Sequence, residues 1–64
     1  MSIVLAHTIA KGDYVMRLAT YERVVDIIAF EEMGQSYLRF CLENGDTICC
    51  GLQAQLNVIR ARVA

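Results

Sequence analysis

The sequence predicts a small all-β domain, and three observations predict it. Apolar and polar residues alternate along Ser36–Glu43, "SYLRFCLE", with Leu38, Phe40 and Leu42 on one side and Tyr37, Arg39, Cys41 and Glu43 on the other. A period of two is the signature of a half-buried strand. The pair Asn44-Gly45 follows directly, between two apolar runs, and this is the chemistry of a hairpin turn. The rest of the chain, which has no proline, is cut into short runs rich in Val, Ile, Tyr, Phe and Leu, the residues that fit a pleated surface.

Taken in order, "SIVLAHTI" (2–9) reads as a strand with apolar residues on both faces: Ile3, Leu5 and Ile9 against Val4 and Ala6. Such a strand wants cover on both sides and is expected to pair across an oligomer interface. A break at Lys11-Gly12-Asp13 leads into the next strand. The run "YERVVDIIAF" (21–30) carries two patterns. Tyr21, Val24, Val25 and Ile28 fit a helical stripe, but β-branched and aromatic residues suit helices poorly. A helix ending at Gly34 would also set Glu31 and Glu32 at its negative end. The strand is the preferred reading, with a helix over 21–33 as the alternative. After the break at Glu31–Gly34 comes the alternating strand.

Its turn has two registers. A two-residue Asn44-Gly45 loop would oppose Glu43 to Asp46, like charge to like. A three-residue Glu43-Asn44-Gly45 loop avoids this and sets Phe40 opposite Ile48 and Leu38 opposite Cys50; it is preferred. The last segment, "LQAQLNVIRARV" (52–63), is read as a helical turn at 52–55 and a strand over 57–62. Leu52, Leu56, Ile59 and Val63 leave a continuous helix over 52–63 as the alternative.

The chain has 64 residues, of which 56% are hydrophobic. A chain of this size buries only about 60% of its unfolded surface, so this much apolar content points to an oligomer or a partner surface. The net charge of −1 argues against bulk electrostatic binding to nucleic acid. Three cysteines with no C-x-x-C pair, and a single histidine, His7, fit neither a disulfide framework nor a structural zinc site. The N-terminal apolar run is too short for a signal peptide or membrane span. A reducing, cytoplasmic setting is the expectation, with no cofactor, metal or membrane.

The turn Gly12-Asp13-Tyr14-Val15, the strand ending in Asp26-Ile27, the Asn44-Gly45 hairpin and the closing Leu56-Asn57-Val58-Ile59 together resemble the layout of SH3-like small β-barrels of the Tudor and KOW kind. The resemblance covers about residues 11–60. It implies a five-stranded barrel over 11–62, with a short helical turn before the last strand and residues 1–10 as an additional N-terminal strand, all in one domain. The pattern departs from the family in two places. "TYERVVDII" lacks the glycine that the KOW motif carries, and of the five aromatics, Tyr14, Tyr21, Phe30, Tyr37 and Phe40, Phe40 is assigned to the core, so ordinary packing is preferred to an aromatic cage. The layout is also similar to the plasmid-borne type of dihydrofolate reductase, but neither "TICC" nor "GLQA" matches its Val-Gln-Ile-Tyr segment.

Few residues look like chemistry. Cys49 and Cys50 are strand neighbours and point to opposite faces. Cys50 is expected in the core beside Leu38, and Cys49 outside, diagonal to Cys41. No paired carboxylates, catalytic dyad or phosphate loop stands out, so no catalytic residue is assigned. Tyr37 and Arg39, residue types enriched at binding hot spots, together with Arg23, Arg60 and Arg62, form the candidate binding set. The expected function is a small non-enzymatic binding module that homo-oligomerises and engages a protein partner. The alternatives are a nucleic-acid-binding domain using its arginine face and an oligomeric enzyme with a site on the symmetry axis.

Overall fold

The computed structural model of the chain describes residues 2–60. Six strands form: β1 (Ser2–Leu5), β2 (Tyr14–Arg17), β3 (Thr20–Glu32), β4 (Gln35–Leu42), β5 (Thr47–Gly51) and β6 (Gln55–Ile59). They make one antiparallel sheet in the order β1-β6-β2-β3-β4-β5. The all-β expectation holds. Residues 21–30 are strand, and no helix occupies 52–60.

The long β3 belongs to both halves of the sheet. Thr20–Arg23 pair with β2, while Val24 and Asp26–Glu32 pair with β4. A bulge lies between Val24 and Asp26, where one extra residue bends a strand and raises its twist. Val25 is left exposed, and Asp26 steadies the bend: its Oδ1 accepts from the Ile27 amide at 2.9 Å.

The hairpin between β4 and β5 takes the preferred register. Phe40 pairs with Ile48 and Leu38 with Cys50. The Leu42 amide donates to Asp46 O, and the Gly45 amide to Leu42 O, around a Glu43-Asn44-Gly45 loop. Gly45 has φ 94°, a conformation that costs glycine nothing and other residues about 1–2 kcal/mol.

The core follows from these registers. Val15, Val24, Phe40, Leu42 and Val58 are buried together with Ala6 and Ile9, and Ile27, Leu38, Ile48, Cys50 and Leu56 pack against them. Each strand from β2 to β6 sends one face inward, and the segment after β1 closes the open side with Ala6 and Ile9.

Three expectations need correction. β1 pairs within its own chain, with β6, in the register Ser2↔Val58 to Leu5↔Gln55. The N-terminal strand also stops at Leu5. Ala6–Thr8 turn into a single 3₁₀ turn, which the Thr8 hydroxyl steadies by donating to Leu5 O at 2.7 Å. That turn is the only helical element among the described residues. The expected helical turn at 52–55 is instead a tight turn closed by the Ala54 amide on Gly51 O at 3.2 Å, and the last strand begins two residues early, at Gln55. The Ala6 and His7 amides donate to Ala54 O and Leu52 O. This tie to the N-terminal turn holds residues 52–54 where their own sequence would have allowed a helix.

Candidate binding face

The strand pairing that turns Leu38 and Phe40 toward the core turns Tyr37 and Arg39 outward, since side chains alternate across a strand. On the neighbouring strand, Phe30 pairs with Tyr37 and Ile28 with Arg39. The three side chains meet. The rings of Phe30 and Tyr37 stack with centroids 5.5 Å apart at 24°, and the Arg39 guanidinium lies 5.4 Å from the Phe30 centroid. Offset stacking and a cation over an aromatic face are each worth about 0.5–1.5 kcal/mol. They fix three side chains that are free to rotate in the unfolded chain, so this patch of surface is already ordered.

Two open hollows of about 460 Å³ each flank this end of the hairpin and share Ser36, Tyr37 and Leu52 in their walls. They exist because β5 ends at Gly51, opposite Tyr37, while β3 and β4 run on to Glu32 and Gln35. The overhang exposes backbone and side chain together.

The other expected binding residues fall elsewhere. Arg23 pairs with Tyr14 in the first half of the sheet, and its Nε donates to Glu43 Oε2 at 2.9 Å. Arg60 is tied to its own chain at the surface: Nη1 donates to Thr8 O at 3.1 Å and Nη2 to Thr8 Oγ1 at 3.2 Å, and Nη1 lies 3.8 Å from the buried carboxylate of Asp13. Arg62 lies outside the described residues. The structure therefore brings together Tyr37 and Arg39, adds Phe30, and separates Arg23 and Arg60 from them. Phe30 was within reach of sequence reasoning: a two-residue Met33-Gly34 turn opposes Glu32 to Gln35 and hence Phe30 to Tyr37.

The cysteines divide as the register requires. Cys49 is exposed opposite Arg39, whereas Cys50 packs against the core. Burial pushes the Cys50 thiol above its ordinary 9.0, and neighbouring Cys49 adds to the shift. All three cysteines are free. His7 is exposed on the 3₁₀ turn. Among the described residues no cluster of His, Cys, Asp and Glu could hold a metal, and no helix is long and apolar enough to cross a membrane.

Comparison with models of protein families, with curated proteins and with solved structures gave no match. The functional reading therefore rests on the chemistry of this face.

Proposed function

We propose that the protein is a small binding module that assembles with copies of itself and engages a protein partner through Phe30, Tyr37 and Arg39. The observation that carries this is the ordered stack of the three on an outward strand face, beside two hollows. Aromatic and arginine anchors next to a concavity are what protein interfaces use at their centres. Glu31 and Glu32 continue the strand past Phe30, so the local field does not favour phosphate, and a protein ligand suits the face better than nucleic acid.

We further propose that the sheet curls as an SH3-like barrel. Support comes from the order β6-β2-β3-β4-β5 of the last five strands, from the bulge that bends β3, and from the bond of the His7 amide to Leu52 O, which ties the N-terminal segment to the turn after β5. Three free thiols suit a reducing, cytoplasmic setting.

The test is quantitative capture from nuclease-treated lysate, with the wild-type chain and the Tyr37→Ala/Arg39→Ala variant as baits in parallel. A partner held by the first and lost at least tenfold from the second is expected. Equal retention by both baits sinks the reading. Salt-dependent retardation of RNA or DNA that the variant abolishes would replace it with the nucleic-acid alternative.

A further inference from the structure

A second surface is apolar and has no cover among the described residues. The outer side of β1, β6 and β2 carries Ile3, Ile59, Tyr14 and Met16, which are 70%, 41%, 37% and 38% exposed. The registers make them neighbours. Tyr14 pairs with Ile59 and Ile3 with Asn57. One step on in the same ladder, Met16 stands opposite Asn57, so Asn57 sits between Ile3 and Met16. Its Oδ1 is buried and has no hydrogen-bond partner. Leu18 and Met33 are more exposed, at 84% and 96%, but each stands alone in a turn.

We propose that this face packs against the same face of a second copy, sheet on sheet about a two-fold axis. This rests on the assembly half of the function proposed above and names its surface.

Charge points to a second copy as the occupant. A two-fold axis sets like against like, which is costly for charged residues and free for apolar ones. None of the four residues is charged, and the nearest cation in the same rows, Arg23, is already neutralised by Glu43 at 2.9 Å. The chain's net charge of −1 gives two copies little reason to repel. Edge pairing through β1 would leave Tyr14, Met16 and Ile59 in water, whereas face-to-face packing covers them.

The experiment is light scattering of the purified chain and of single variants at micromolar concentration, with circular dichroism to confirm that each stays folded. The wild type is expected at twice 7.2 kDa or a multiple of it. Met16→Glu and Ile59→Glu should fall to 7.2 kDa, while Leu18→Glu and Met33→Glu keep the wild-type mass. A wild-type monomer overturns both this surface and the assembly reading behind it. A wild-type oligomer that Met16→Glu and Ile59→Glu leave intact overturns this surface alone. If Ile3→Glu dissociates it and Met16→Glu does not, the contact is the β1 edge and the proposal fails. None of these outcomes bears on the Phe30–Tyr37–Arg39 face, which the capture experiment tests separately.

Discussion

Asp13 is fully buried. Its Oδ2 accepts from the Ala10 amide at 3.0 Å, its own amide donates to Ala10 O at 3.1 Å, and its carbonyl accepts from the Val24 amide at 2.8 Å. The turn before β2 is thus closed around one carboxylate, with Arg60 as its counter-ion. Replacing it with Ala strands the Ala10 amide and leaves Arg60 without its acid. Asp13→Ala should cost about 2–4 kcal/mol, read as a lower urea midpoint. Arg60→Met should cost less, because that guanidinium keeps contact with water. A loss below about 0.5 kcal/mol for Asp13→Ala would show that the carboxylate is not structural. In sequence, Asp13 reads only as a turn acid. The turn is local and legible; the burial is not, because Val24 and Arg60 close over it from distant parts of the chain.

The cysteines carry a second prediction at this scale. A thiol-alkylating reagent should modify Cys49 well before Cys50, as peptide mapping by mass spectrometry would show, because the thiolate is the reactive form. Equal rates would contradict the strand register. The raised Cys50 value also has a consequence for stability. The unfolded chain loses this proton near 9.0 and the folded chain only at higher pH. Its contribution is complete below about 9.0 and is lost as pH rises through the folded value. Cys50→Val should flatten that alkaline decline.

At the scale of elements, β3 explains why part of the chain reads two ways. Before the bulge the even-numbered residue Val24 faces the core; after it the odd-numbered Ile27 does. One inserted residue switches the parity, and the apolar residues at 21, 25 and 28, which lie outside the core, combine with Val24 to give the spacing of a helix. The β4–β5 hairpin has no such switch, and its register could be read from alternation and like-charge avoidance alone. The 3₁₀ turn after β1 has no local signal; it forms where the chain must leave β6 and bring Ala6 and Ile9 under the core. On the binding face, Tyr37 and Arg39 could be read from alternation, but the arginines in the candidate set were grouped by charge, and the fold spends Arg23 and Arg60 on its own acids. The turns offer an element-scale prediction. Met33 (φ 51°) and Gly34 (φ 77°) form the two-residue loop between β3 and β4. Both positions are left-handed, which asparagine tolerates and methionine does not. Met33→Asn should raise stability by roughly 0.5–1 kcal/mol in thermal or urea unfolding. A loss of stability would mean that the exposed Met33 side chain contributes to packing.

At the scale of the molecule, the chain has a small core and more apolar surface than that core can cover. Two faces are left: an ordered aromatic and arginine face on β3 and β4, and a plain apolar face on β1, β6 and β2. The first is built like a recognition site and the second like a contact between copies. Hydropathy and length already imply an uncovered surface, but its place depends on which strand lies beside which, and the in-chain pairing of β1 with β6 decides that. Both faces underlie the proposal that this chain works assembled rather than alone. The mass of the wild-type chain in solution at micromolar concentration tests that claim most directly. Twice 7.2 kDa or a higher multiple is the predicted result, and a steady 7.2 kDa would contradict it.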